Sequence, residues 1–242
     1  MICVEDLHKA FGSIKAVAGV SFEARDGEIT GLLGPNGAGK TTTLRMLYTL
    51  MQPDSGRVLV DGKDARAAPL EVQRRLGVLP DARGLYRRLT ARENIAYFAA
   101  LQGLTPAAAN ARIEALLAAL DMEAIADRRA DGFSQGERLK TALARALVHD
   151  PHNVLLDEPT NGLDVMSTRS LRQFLRQLRE QGRCVLFSSH VMQEVSALCD
   201  RIVIIAHGRV VAEGTPQELR SRASEQNLED AFVKLIHAAE LA

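Results

Sequence analysis

Gly34-Pro35-Asn36-Gly37-Ala38-Gly39-Lys40-Thr41 sets glycines at 34 and 39, a lysine and a hydroxyl in the order G-x-x-x-x-G-K-T. Those residue types at that spacing suit one chemistry, the holding of nucleotide phosphates. Glycine lets the backbone close around phosphate oxygens because no Cβ blocks the approach. Loop amides and the first turn of a following helix then offer partial positive charge to the anion. Lys40 is expected to reach the β- and γ-phosphates, and the Thr41 hydroxyl to hold Mg²⁺. The flanks suit this reading: residues 28–33 form an apolar strand-like run, and residues 42–50 carry helical apolar spacing. A glycine-rich turn with a chance lysine would not need that strand–loop–helix setting.

A second chemical group lies far downstream. Asn153-Val154-Leu155-Leu156-Asp157-Glu158 reads as a buried strand that ends in two carboxylates. Carboxylates at the end of an apolar strand are costly unless they are used. Asp157 can hold Mg²⁺ opposite Thr41, directly or through water, because Mg²⁺ takes hard oxygen ligands and phosphates supply the rest. Glu158 is placed to polarise a water in line with the γ-phosphate. A capping pair for the next turn is the structural alternative. His190 directly follows an apolar strand and Ser188-Ser189, which singles it out among six histidines. His149, His152, His207 and His237 carry no catalytic expectation. Phe11, before Gly12, is a candidate platform for adenine, with ordinary core packing equally open.

Around these groups, strands and helices alternate, which argues for a mainly parallel sheet. Short strands are expected at 2–7, 15–24, 57–60, 77–79, 184–189, 202–205 and 209–212. Residues 70–76 and 170–181 read as helices, as do 192–199 and an amphipathic stretch marked by Leu228, Phe232, Leu235 and Ile236. Between them, residues 83–149 turn helical. Thr90-Ala91-Arg92-Glu93 and Ser134-Gln135-Gly136-Glu137 are capping boxes, and Thr105-Pro106 is an N-cap followed by proline. This stretch reads as a helical insertion in an α/β core.

Composition narrows the partners. At 242 residues and 46% hydrophobic, the chain can build one large domain or a domain with a subdomain. Thirty basic and thirty acidic residues give zero formal net charge, so no nucleic acid is expected as partner. Cys3, Cys184 and Cys199 lack metal-type spacing and read as reduced thiols of a cytosolic protein. No signal-peptide pattern is seen, and apolar runs such as 202–206 fall well short of the ~18 residues of a membrane span. A role at a membrane would therefore be exercised through a partner.

Taken in order, these motifs resemble the nucleotide-binding subunit of ATP-binding-cassette (ABC) transporters nearly end to end. Residues 34–41 resemble the family's Walker A loop, and residues 154–158 its Walker B strand with a catalytic glutamate. Phe133-Ser134-Gln135-Gly136-Glu137 sits where the family has its LSGGQ signature; Gly162-Leu163-Asp164 resembles its D-loop. His190 resembles its switch histidine, and Phe11 its adenine-stacking aromatic, which favours stacking at that position.

The resemblance implies an α/β fold: a RecA-like P-loop ATPase core with an antiparallel β subdomain and an inserted helical subdomain. It implies one ATPase domain over 1–242, with the helical subdomain at about 83–149 and a C-terminal helical tail at about 217–242. ATP and Mg²⁺ are the implied cofactors. Gly34, Pro35, Asn36, Gly37, Ala38, Gly39, Lys40, Thr41, Thr42, Phe11 and Asp81 would meet the nucleotide from one side. Ser134 and Gly136 would meet it from a second, head-to-tail subunit. Thr41 and Asp157 would hold the metal, while Lys40, Glu158 and His190 would act on the γ-phosphate. A homodimer or pseudo-dimer would serve a separate transmembrane permease subunit from the cytoplasmic face of the cell membrane, as a peripheral protein.

Two residues depart from the family pattern. Asp81, in Leu79-Pro80-Asp81, stands where glutamine is usual, and Gln135 stands where glycine is usual. A carboxylate near a γ-phosphate repels it unless a cation or proton intervenes. Asp81 would therefore help bind Mg²⁺ through water, or sit turned away until a partner moves it.

Leu85-Tyr86 and Leu89-Thr90-Ala91-Arg92-Glu93-Asn94 resemble the group that drives ABC-2-type exporters, and residues 227–237 resemble the sodium-export ATPases of that group. Gly84, Leu85 and Tyr86 are candidates for contact with a cytoplasmic helix of the permease, with packing of the insertion equally open. Sodium efflux is the expected task. Export of drugs, other small molecules or polysaccharide would use the same motor, and a soluble ABC ATPase without transport is the further alternative.

Overall fold

The computed structural model describes residues 1–81 and 84–240. Its centre is a six-stranded sheet in the order β10-β9-β3-β8-β7-β6. The strands are β3 (Ile29–Leu33), β6 (Leu76–Leu79), β7 (Asn153–Asp157), β8 (Cys184–Ser189), β9 (Arg201–Ala206) and β10 (Arg209–Gly214). All neighbours pair in parallel except β10, which returns antiparallel along β9.

The sheet's sequence explains its burial. Every residue of β3, β7 and β8 is buried, as near-continuous apolar runs require when both faces of a parallel sheet are covered. The period of two then divides the side chains between two cores. Val154, Leu156, Val185 and Phe187 join a core with the later helices. Leu155 and Leu186 join a core with the smaller sheet. That smaller sheet, in the order β2-β1-β4-β5, is antiparallel throughout. It comprises β1 (Ile2–Phe11), β2 (Ile14–Ala24), β4 (Ser55–Val60) and the short β5 (Lys63–Asp64).

Helices α1 (Lys40–Leu47) and α2 (Pro69–Gln73) precede β6. Between β6 and β7 come α3 (Ala91–Leu101), α4 (Pro106–Ala119) and α5 (Gln135–Leu147). Both capping boxes form: Thr90 Oγ1 accepts from Glu93 N while Thr90 N donates to the Glu93 carboxylate. Ser134 and Glu137 do the same at α5. The expected start of the insertion at Arg83 and the last two residues of the expected tail lie outside the described residues.

Some boundaries differ from expectation. The helix expected over 70–76 ends at Gln73, and Leu76 opens β6, where its backbone pairs with Asn153. The helix expected to run to residue 50 stops at Leu47, and Thr49 takes a left-handed φ of 63°. Helix α6 (Val165–Glu180) starts five residues before the expected 170, because Asp164 Oδ1 accepts from Ser167 N and caps it. After β8 comes α7 (Met192–Leu198); α8 (Pro216–Ala223) and α9 (Leu228–Glu240) close the chain. Helix α8 opens with a capping box of Thr215 and Glu218.

Candidate nucleotide-binding site

Four adjacent strands, β3, β8, β7 and β6, point their carboxyl ends at one edge of the large sheet. Leu33 pairs with Ser189, Asp157 with Ser188, and Leu79 with Leu156. That register brings the loop after Leu33, the carboxylates after Leu156, the histidine after Ser189 and Asp81 after Leu79 to one place. Open α/β sheets bind ligands at such an edge.

The edge carries a cleft of about 350 Å³ lined by residues 36–42, Asp81, Glu158 and His190. Its volume lies in the range of small-molecule sites, about 300–1,000 Å³. Gly39 has φ of 105°, and a Cβ there would come within 2.4 Å of the Ala16 carbonyl oxygen. At Gly34 a Cβ would come within 2.2 Å of the Ile205 carbonyl oxygen. Both positions therefore exclude any side chain. Helix α1 begins directly after Gly39 with no side-chain cap, so its first amides remain for a ligand at the loop.

Lys40 is buried at 6% exposure. Its Nζ donates to the carbonyl oxygens of Gly34 at 2.8 Å and Pro35 at 3.2 Å and lies 3.5 Å from Glu158 Oε1. Gly34 and Pro35 thus serve through their carbonyls and stand outside the cleft lining. Thr41 Oγ1 donates to Asp157 Oδ1 at 3.2 Å, and Ser188 Oγ donates to the same oxygen at 2.6 Å. Burial pushes the Asp157 carboxyl above its ordinary range; the Ser188 and Thr41 hydrogen bonds oppose this, and the negative charges of Asp81 and Glu158 reinforce it. Adjacent hard oxygens from Thr41 and Asp157 fit Mg²⁺. Among the described residues no group of three or more His, Cys, Asp or Glu forms a metal cage. A cation there would need phosphate and water oxygens to complete its shell.

Glu158 adopts a left-handed φ of 47°, uncommon for a residue with a side chain. Its amide donates to Ser188 Oγ at 3.0 Å, and its Oε2 meets His190 Nδ1 at 2.9 Å. A carboxylate only accepts, so Nδ1 carries the proton and the ring is oriented by Glu158.

The remaining expected residues lie apart from this cleft. Phe11 is 48% exposed, with Lys9 Nζ 5.9 Å from its ring centroid. Its exposure removes the core-packing alternative and leaves an open aromatic face; the ring stands outside the cleft lining, which Ala16 of the next strand reaches. Ser134 and Gly136 open α5 and do not line the cleft. A Cβ at Gly136 would come within 2.7 Å of Ser167 Oγ, so the α5 start packs closely on α6. Gln135 is the first residue of α5 and leaves the Ser134 cap intact. Near the β6 edge, Gly84 O accepts from Arg145 Nη1 at 2.8 Å, and Leu85 packs on the core. The Tyr86 ring stands edge-on to Tyr97 at 5.2 Å.

Sequence reasoning missed three members of the site, Ser188, Asn161 and Ala16. Ser188 joins Asp157 and Glu158 to β8, and Asn161 lines the cleft. The serine pair before His190 was the available signal for the first. Nothing in the spacing marked Asn161.

A parallel sheet whose phosphate loop and paired carboxylates meet at one edge defines a P-loop nucleotide hydrolase. Comparison with known proteins narrows the class. The ABC transporter family model matches residues 17–161. The chain is 44% identical over 238 residues to the ABC transporter ATP-binding protein NatA of Bacillus subtilis, covering 96% of this chain and 97% of that protein. It is 41% identical over 214 residues to the Nod factor export ATP-binding protein I of Burkholderia lata, covering 88% of this chain and 70% of that one. A bacterial ABC transporter cassette solved as a dimer matches with a TM-score of 0.81 at 25% identity, over 89% of this chain and 98% of that one. The chain belongs to the ABC transporter family and is an ATP-binding subunit with the family's ATPase activity. No helix among the described residues is long and apolar enough to cross a membrane.

Proposed function

We propose that this chain is the motor of a sodium exporter, closing as a head-to-tail dimer on MgATP and driving a separate transmembrane permease from the cytoplasmic face of the membrane. The observation that carries the sodium assignment is the 44% identity, end to end, to NatA. The likeness to a Nod factor exporter supports the same motor with another cargo.

In this reading residues 1–242 form one ATPase domain, with the helical insertion at about 83–149 and the helical tail at about 217–242. Residues 34–42, Phe11 and Asp81 meet the nucleotide from one subunit. Ser134 and Gly136 of the partner subunit meet its γ-phosphate. Support for the sandwich comes from where the two helix starts lie: α1 opens onto the cleft, whereas Ser134 and Gly136 at the α5 start do not line it, so their contact with a nucleotide would come from a second subunit. Beside α5, Val165 and Met166 are 83% and 69% exposed, an apolar pair suited to a protein neighbour.

Thr41 and Asp157 would hold Mg²⁺, which when bound supplies positive charge to the phosphates. Lys40 neutralises phosphate charge, Glu158 accepts a proton from the attacking water, and His190 is oriented by Glu158 toward the γ-phosphate. A groove of about 470 Å³ lined by Leu50, Pro80, Phe98 and Arg145 supports a permease segment seated between core and insertion, at the edge where Arg145 holds Gly84.

The test is ATP-dependent uptake of labelled sodium into sealed inside-out vesicles that carry the chain with its co-purifying membrane subunit. Uptake abolished by Glu158→Gln is expected. Absence of uptake with partner-dependent ATPase intact would discard sodium and keep the motor, and absence of any membrane partner would overturn transport.

A further inference from the structure

Glu194 lies on α7, four residues beyond His190, and is 8% exposed. One of its oxygens, Oε2, accepts from two hydroxyls that come from different parts of the chain. Thr160 Oγ1 donates to it from the loop after β7, and Ser189 Oγ donates to it at 3.3 Å from the end of β8. Thr160 stands two residues after Glu158, and Ser189 immediately precedes His190. Ser189 Oγ also accepts from Val191 N at 3.0 Å, so it pins both sides of His190. With the 2.9 Å contact of Glu158 and His190, these bonds close a ring: Glu158, Thr160, Glu194, Ser189, His190 and back.

A buried carboxylate is expensive, and an apolar side chain would fill the same space at lower cost. What the carboxylate supplies is one strong acceptor shared by two hydroxyls. It ties the segment after β7 to the segment after β8, just beyond where the sheet ladder ends at Asp157 and Ser188. Glu158 needs such a tie, because its left-handed backbone is held by its surroundings and not by its own preference.

We propose that Glu194 is a positioning residue for hydrolysis, fixing the Glu158–His190 pair from behind through Thr160 and Ser189. It touches no reacting atom. The proposal rests on the reading that Glu158 and His190 act on the γ-phosphate.

The test compares Glu194→Ala, Glu194→Gln and Thr160→Val in the full chain. The readouts are kcat and KM for ATP, the Kd of a fluorescent ATP analogue, and the NMR resonances of the His190 ring, assigned by their loss in His190→Gln. A small misplacement of catalytic groups costs up to about 100-fold. Glu194→Ala and Thr160→Val are therefore expected to lower kcat by about 10- to 100-fold, move the His190 resonances and leave nucleotide Kd within about twofold. Glu194→Gln keeps an oxygen that accepts from both hydroxyls and should recover most of kcat and the native resonances. Unchanged kcat in Glu194→Ala, or a kcat loss matched by weakened binding with the His190 resonances unmoved, would overturn the proposal. Should Glu194→Ala fail to fold, Thr160→Val carries the same test, since it removes a hydroxyl at nearly constant volume. Near-normal turnover in Glu158→Gln would instead mark failure of the underlying reading, and the proposal would fall with it.

Discussion

Lys40 Nζ lies 3.5 Å from Glu158 Oε1, with both side chains largely shielded from water. The residue that would bind the γ-phosphate and the residue that would activate its attacking water thus share one charge contact. On the proposed reading, Lys40→Ala would remove a phosphate ligand and leave the Glu158 carboxylate uncompensated beside the nucleotide. Removing one such electrostatic contact costs about 10²–10³ in rate. ATPase of the variant should fall by at least about 100-fold, with weakened binding of a fluorescent nucleotide; turnover within a factor of a few of wild type would remove Lys40 from this role.

The raised carboxyl of Asp157 has a stability consequence. Its pKa in the fold lies above the unfolded value, so folding favours its neutral form. The stability it contributes is present below the ordinary carboxylate range and is lost as pH rises through the raised folded value. At neutral pH the nucleotide-free chain therefore bears the cost of a buried charge. Asp157→Asn should raise the Tm of the nucleotide-free chain at pH 7, with the gain shrinking as the pH falls toward the carboxylate range. If Asp157 holds Mg²⁺ as proposed, the same variant should also show no added stabilisation from Mg²⁺ over ATP alone. Thermal melts across pH check both signs.

Asp81 lines the same cleft and adds its negative charge to the field at Asp157. Coulomb repulsion of a phosphate by an exposed carboxylate is modest and screened by salt. Asp81→Gln should tighten binding of metal-free ATP by roughly three- to tenfold at low salt, and by less at high salt. Equal affinities of wild type and variant in a chelator at low salt would mean that Asp81 points away from the nucleotide.

Much of this was legible in the chain because local signals and tertiary needs agree. The phosphate loop declares itself by glycines at positions where the Ala16 and Ile205 carbonyls leave no room for a Cβ. The capping boxes at Thr90 and Ser134 fixed two helix starts because both reciprocal bonds lie within four residues. Illegible features were those set by distant partners. Leu76 continues the apolar spacing of α2, which ends at Gln73, yet pairing with β7 draws it into the sheet. The Ser188-Ser189 pair marks His190, but the bond from Ser188 to Asp157 is set only when β7 places that carboxylate beside β8. The left-handed backbone of Glu158 has no glycine or asparagine to announce it. The exposure of Phe11 follows from the hairpin turn beside it, which leaves Ile14, its cross-strand partner, 69% exposed as well.

The account stands on closure of two subunits around ATP. Its most direct test is the mass of Glu158→Gln by light scattering during size exclusion, with and without MgATP, alongside the Glu158→Gln, Ser134→Arg double variant. General-base loss slows hydrolysis by about 10²–10⁴, long enough to hold the closed form. The account predicts a monomer that becomes a dimer with MgATP in the single variant and stays monomeric in the double variant, where a bulky cation blocks the start of α5. A double variant that dimerises on MgATP as the single variant does would contradict it.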